Sequence, residues 1–201
     1  MLAGCTGAQQ ERVLRLDVEA DAAPGPEVLD GSVQIVRFGA RGLLSEPRLA
    51  YVDWRAPGEQ LQYADVRWDE APSRTVERAL GHYLRRASPG IAVFDADSRA
   101  AADYWLSGRI DRFEQVIEGD GSQAAVAIDV TVMRTRDRSL VLTGSYCASR
   151  EMAGGDPADS LPAFDAGLRW IFARLVDDLR ARPAPRRTAA LPTVNASQSV
   201  T

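Results

Sequence analysis

Apolar and polar residues alternate over much of the chain, and the period of that alternation changes twice. Leu14, Leu16 and Val18 are separated by Arg15 and Asp17, which predicts a first strand over 13–18. Residues 20–31 carry two prolines and two glycines and read as a loop. Val33, Ile35, Val36 and Phe38 predict a second strand, broken by Gly39 to Gly42. Two shorter strands are expected at 48–53 and 61–65 around a turn at Pro57-Gly58. The period then becomes helical: after Pro72-Ser73, Val76, Ala79, Leu80, Tyr83 and Leu84 recur at three- and four-residue spacing until Ser88-Pro89-Gly90.

Period two returns after that helix. Ile91 to Phe94 has the length of a buried strand, and Tyr104, Leu106, Gly108 and Ile110 alternate along another. Val126, Ile128, Val130 and Val132 alternate in turn, as do Leu140, Leu142, Gly144 and Tyr146, so these two runs predict a hairpin. One face of the hairpin is apolar; the other shows Asp129, Thr131, Thr143 and Ser145, the pattern of a sheet covered on one side. Phe164, Leu168, Ile171, Leu175 and Leu179 mark a closing helix that begins near Asp159. The expected fold is a two-layer α/β domain over 13–182, a mixed and mostly antiparallel sheet with at least two helices packed on it. Residues 1–12 read as a leader and 183–201, rich in Pro, Ala, Thr and Ser, as a polar tail expected to be disordered.

Composition narrows the function. The 201 residues are 45% hydrophobic and 26% charged, enough to bury a core without staples, and no apolar run approaches the ~18 residues of a membrane-spanning helix. A net charge of −4 gives no broad cationic surface for nucleic acid. All 24 basic residues are arginine, which removes every lysine-dependent mechanism. With one histidine, His82, and two cysteines, Cys5 and Cys147, a zinc site is not expected, and neither metal nor cofactor is implied. Cys147 lies inside a strand pattern and is expected to be a small buried thiol.

Few residues carry a chemical signal. His82 shares its helix with Arg78, Arg85 and Arg86 and is read as a surface histidine, since no serine or cysteine nucleophile stands out to pair with it. Asp69-Glu70 and the pair Asp95 and Asp97 lack calcium-loop spacing and are read as helix-start and loop charges. No catalytic residue is assigned. Trp54, Tyr63 and Trp68, with Tyr51, are interleaved with arginines that include Arg37 and Arg41. Aromatics and arginines are enriched at binding hot spots, so Arg37, Arg41, Tyr51, Trp54, Tyr63 and Trp68 form the candidate partner surface. The competing reading has the aromatics filling the core and the arginines its rim.

The chain opens Met1-Leu2-Ala3-Gly4-Cys5-Thr6. Leu-Ala-Gly-Cys resembles a bacterial lipobox, in which small residues let a peptidase reach the backbone and the cysteine thiol takes up lipid. Cys5 is therefore the candidate lipid attachment site. The charged and apolar stretch that precedes a lipobox is missing, so the sequence is expected to start inside a signal peptide.

A longer series of residues carries a second resemblance. The strand 33–38, Ala40-Arg41-Gly42, Leu49-Ala50-Tyr51, Gln62-Tyr63 and Arg67-Trp68-Asp69-Glu70-Ala71-Pro72 occur in order. Ala102 to Gly108, Arg112-Phe113-Glu114, Leu140 to Thr143 and the closing helix follow. This series resembles the auxiliary lipoproteins of bacterial ABC-type transport systems, the PqiC-like proteins encoded with MCE-domain lipid transporters. The resemblance implies a non-enzymatic, lipid-anchored periplasmic adaptor. Its partners would be an MCE-domain protein and an ABC transporter complex, with the membrane held through the lipid anchor and no nucleic acid. Thr6 is not the aspartate that signals inner-membrane retention, so the periplasmic side of the outer membrane is the expected address. Homo-oligomer formation is an expectation by analogy alone. The alternative implied by the same link is a domain that itself carries a lipid or other hydrophobic ligand.

Overall fold

The computed structural model describes residues 10–182. Cys5, most of the leader and the tail from Pro183 lie outside the described residues. The element order is β1 (Arg12–Leu14), β2 (Ser32–Ile35), β3 (Gly39–Ala40), β4 (Arg48–Asp53), β5 (Leu61–Trp68), α1 (Pro72–Ala87), β6 (Ala92–Phe94), β7 (Tyr104–Glu118), β8 (Gly121–Arg134), β9 (Leu140–Glu151) and α2 (Ser160–Arg180). Short 3-10 turns occupy Gly42–Ser45 and Pro157–Asp159.

The helix boundaries follow from local chemistry. Pro72 opens α1, where its missing N–H costs nothing and its fixed φ suits the helix. Arg85 and Arg86 sit in the last turn against the negative end of the helix dipole, and the Ser88 N–H donates to the Leu84 carbonyl before Pro89 blocks further winding.

The strands form one curled nine-stranded sheet organised by β7. One edge of β7 pairs antiparallel with β8 from Tyr104↔Arg134 to Glu118↔Gly121. The other edge is shared by three short strands in chain order, all parallel to it. Ile35 of β2 lies against Leu106, Ala40 of β3 against Ile110, and Ala50 of β4 against Glu114. β6 extends the sheet beyond β2; β5 and then β1 extend it beyond β4; β9 extends it beyond β8.

Most pairings are therefore parallel: β1–β5, β2–β6, β2–β7, β3–β7 and β4–β7, against antiparallel β4–β5, β7–β8 and β8–β9. This corrects the expectation of a mostly antiparallel sheet. Alternation reveals a strand but not its neighbour: the β8–β9 pairing, the β4–β5 turn and the Gly119-to-Ser122 turn between β7 and β8 are marked in the sequence, whereas the parallel pairings are not. The α/β class with two packed helices holds. Cys147 also differs from expectation: it is exposed, because Tyr146 and Ala148 take the inward positions of β9 and turn the residue between them outward.

Both helices and the inner face of the sheet share one hydrophobic cluster. At its centre Phe113 of β7 stacks on Phe164 of α2 at 4.5 Å, and Trp68 meets both rings edge-on at 5.5 and 5.3 Å. Such pairs add ~0.5–1.5 kcal/mol each beyond their buried area. Tyr83 and Phe172 join the two helices at 5.6 Å.

A second lock ties α1 to the sheet. Phe38 lies over Gly108, where an added Cβ would meet the phenyl ring well inside contact distance. The Phe38 N–H donates to the buried Glu77 carboxylate of α1 at 2.7 Å, and Arg74 donates to the other oxygen at 3.0 Å. Near the start of β2, Asp103 accepts from the Ser32 N–H at 2.9 Å and its hydroxyl at 2.7 Å, which holds its carboxyl below the usual range.

Gly108→Ala should lower stability by ~1–3 kcal/mol through overpacking against Phe38, although alanine would suit an open strand better. Urea titration measures it, and an unchanged midpoint would refute the contact. Asp103→Asn tests the clasp on Ser32 at the start of β2. A carboxyl depressed in the folded state stabilises above its unfolded pKa and loses that contribution as pH falls through the folded value. The variant should therefore be less stable than the parent at pH 7, and the gap should close below about pH 4.

Candidate functional site

Two surfaces concentrate side chains able to recognise another molecule. The first is a cleft of ≈ 240 Å³ between α1 and the segment that follows β6. The helix supplies Arg74, Arg78, His82 and Arg85 to it at three- and four-residue spacing, and the opposite wall carries Phe94, Asp95 and Asp97.

Its charges are engaged locally. Arg78 holds Glu70 at 2.6 Å, and Thr75 donates to the same oxygen at 3.2 Å. Asp97 bridges Arg37 at 2.5 Å and Arg74 at 3.2 Å. The Asp97 hydrogen bond, with Glu77 adding, keeps the Arg74 guanidinium more firmly protonated than usual. Arg85 donates to the Val93 carbonyl at 3.0 Å. His82 is exposed on the rim, and no serine, threonine or cysteine lines the cleft. Glu70 and Asp97 thus act as ion-pair partners at a helix start and in a loop, as their sequence context implied. Among the described residues, no group of three or more histidine, cysteine or acidic side chains is placed to hold a metal.

The second surface is aromatic and lies where β4 and β5 meet the C-terminal half of β7. Tyr51 faces Tyr63 at 4.6 Å, and the Tyr63 hydroxyl donates to Gln115 at 3.0 Å. Burial pushes the Tyr63 phenol pKa up. Tyr51 pairs laterally with the exposed Leu61, and Trp54 stands in the adjoining turn with 55% of its surface exposed. The Trp54 N–H donates to the Ile117 carbonyl, which fixes the turn against the end of β7.

The six predicted partner-surface residues thus divide into separate places. Tyr51 and Tyr63 meet, and Trp54 stands in the turn that follows β4. Arg37 lies across the molecule at the α1 cleft, and Arg41 is exposed in the electrostatic reach of Asp111. Trp68 is 2% exposed, clasped between Phe113 and Phe164, and has no surface to offer a partner. It alternates into the core at the end of β5, a position that sequence proximity to Trp54 and Tyr63 does not reveal. Reading for aromatics missed Arg74 and Glu77; the available signal was the i, i+3 spacing of opposite charges on a helix.

A buried polar group also escaped notice. Glu114 is nearly covered yet accepts from Gln60 at 2.5 Å and Arg112 at 2.7 Å, so its charge is compensated where β4 meets β7. A second hollow, of ≈ 260 Å³, opens near the end of α2, where Val28, Leu29, Val141 and Leu179 share the lining with Tyr104 and with the charged Glu27, Asp30, Arg134, Arg180 and Arg182.

Comparison with known proteins agrees with this architecture. The model of the family described as ABC-type transport auxiliary lipoprotein component matches residues 14–180. No curated protein matches the chain. Among solved structures, protein XCC0632 from Xanthomonas campestris superposes with a TM-score of 0.69 at 20% identity, covering 82% of this chain and 92% of that one. A PelC dodecamer from Paraburkholderia phytofirmans gives 0.51 at 16% identity, with 80% and 96% covered. The hypothetical protein CT253 from Chlamydia trachomatis gives 0.50 at 11%, with 76% and 99% covered. At these identities the likeness is one of fold. Because the family match runs from the end of β1 through the whole of α2, the chain belongs to the ABC-type transport auxiliary lipoprotein components.

Proposed function

We propose that this protein is a non-enzymatic adaptor, anchored by lipid at Cys5 on the periplasmic side of the outer membrane. There it docks an MCE-type intermembrane lipid transport system. The observation that carries the reading is the family match over residues 14–180. The Leu2-Ala3-Gly4-Cys5 start supports it independently. Acylation at Cys5 would bury several methylenes at ~0.8 kcal/mol each, and more than one chain makes such an anchor effectively stable. From Cys5 to Val13 the chain can reach about 25–30 Å at ~3.3–3.6 Å per residue, which keeps the domain near the bilayer. Tyr51, Trp54 and Tyr63 are the residues through which we expect docking, with Arg37 and Arg41 as flanking charges.

The PelC relative is a dodecamer, which supports assembly of several copies of this domain as well. Carriage of a lipid by the domain itself is the second reading, and the hollow beside Leu179 is the feature that favours it. At ≈ 260 Å³ that hollow lies below the ~300–1,000 Å³ of typical ligand sites, so docking is the stronger reading.

Two measurements test the proposal. In the native host, labelled palmitate should enter the protein and be lost in Cys5→Ala, with globomycin blocking maturation; absence of label removes the anchor. The lipidated protein should co-purify with the MCE component in mild detergent, and Trp54→Ala combined with Tyr51→Ala should reduce recovery at least about tenfold if they are hot-spot residues. Full recovery of the complex with that double variant would move the docking surface elsewhere.

A further inference from the structure

The outer face of the sheet is polar along most of its length and apolar at one end. Strand register places Trp105 of β7 beside Met133 of β8, and Met133 beside Leu140 of β9. These three side chains form one row across three strands, on the face opposite the core: Tyr104, Leu106 and Val132 beside them are buried, and a bulge at Val141, which packs against the core together with Leu142, leaves Leu140 facing outward. Trp105 is 44% exposed and Leu140 60%. The same row continues onto β2 and β6 as Gln34 and the half-buried Phe94. The next rows along the sheet are Ser107–Thr131–Thr143 and Arg109–Asp129–Ser145. The apolar strip is therefore confined to one corner.

The β8–β9 turn that borders this corner is basic. Arg136 and Arg138 are exposed, and Arg138 adopts φ 56°, left-handed backbone uncommon for a side-chain-bearing residue. Asp137 is the one acid in the turn; it is engaged by Ser139 and lies 3.5 Å from Arg134, while its contact with Arg136 is a loose 4.0 Å. An indole and two aliphatic side chains, flanked by guanidinium groups, match the chemistry of a bilayer interface. Tryptophan settles among headgroups, aliphatic tips reach the acyl boundary, and arginine pairs with lipid phosphate.

We propose that this corner rests on an anionic lipid surface. Two observations favour lipid over a second copy of the chain. The row is far smaller than the ~800 Å² per partner of a stable protein interface. A two-fold contact would also set the arginine turn against its own copy. A contact this small binds weakly but measurably on its own and is strengthened when a tether holds it at the membrane. The orientation rests on the lipid anchor proposed above. Val13 pairs with Arg67 and Arg67 with Arg48, near the level of Arg112, about seven residues or ~25 Å along the sheet from Trp105. The tether and this corner can thus reach one bilayer when the outer face tilts down.

The test uses the full chain made without acylation, so that it stands or falls independently of Cys5. Co-sedimentation is measured with phosphatidylcholine vesicles containing about 30% phosphatidylglycerol and with phosphatidylcholine alone. The parent protein should bind the anionic vesicles, and added salt should weaken binding. Arg136→Glu with Arg138→Glu should reduce it at least about fivefold per charge, and Trp105→Ala with Leu140→Ser by a similar factor. Trp170→Ala, which removes an equally exposed indole on α2, should leave it unchanged. Circular dichroism confirms that each variant is folded. Equal sedimentation with both vesicle types, indifference to the Trp105 and Arg136 variants, or concentration-dependent self-association abolished by Trp105→Ala would each overturn the proposal.

Discussion

Every backbone N–H and carbonyl along a long central strand must find a partner, and β7 has fifteen residues to satisfy on two edges. One edge is met by a single neighbour, β8, through a tight hairpin. The other is met by three short segments laid end to end, β2, β3 and β4, with the 3-10 turn at Gly42–Ser45 taking up the extra length between the last two. From that arrangement the rest follows. The sheet divides into two wings beyond β7, one of β2 and β6, the other of β4, β5 and β1. Parallel pairing obliges the chain to travel between wings, and α1 lies on that path between β5 and β6.

Helix packing then holds the wings to a common core. Trp68, at the end of β5, is wedged between the ring of Phe113 on β7 and that of Phe164 on α2. Between β2 and β3, Phe38 reaches across Gly108 while its own N–H is taken up by Glu77 of α1. The two contacts use different chemistry for one purpose. The first is apolar area and ring geometry. The second is a buried carboxylate whose charge is offset by one guanidinium and one peptide donor, a group that would be costly if either partner were absent.

The surface separates charged from apolar side chains. Arginine and carboxylate side chains along α1 pair with one another across a shallow cleft, and the only histidine sits on its rim without a nucleophile beside it. Exposed large apolar side chains include Trp54 and Leu61 near one end of β7 and Trp105 and Leu140 near the other, with Val13 on β1 and Trp170 on α2 set apart from both. Membership of the transport auxiliary lipoproteins gives these ends a setting in which a membrane and a transporter are both close at hand.

Periodicity alone was enough to find both helices, the β8–β9 hairpin, the β4 strand with its end points and the apolar stripes that face the core, because those features depend on residues near each other in the chain. An ordered series of short segments also pointed to the family. The partners of β2, β3 and β4 were not legible, since an alternating strand carries no mark of its neighbour or its direction. The same limit explains Trp68, grouped with Trp54 and Tyr63 by sequence but drawn into the core by Phe113 and Phe164. It explains Cys147, which reads as a buried thiol until Tyr146 and Ala148 are seen to face inward. Trp105, Met133 and Leu140 become one surface only through strand register, which long-range hydrogen bonds set and local composition does not.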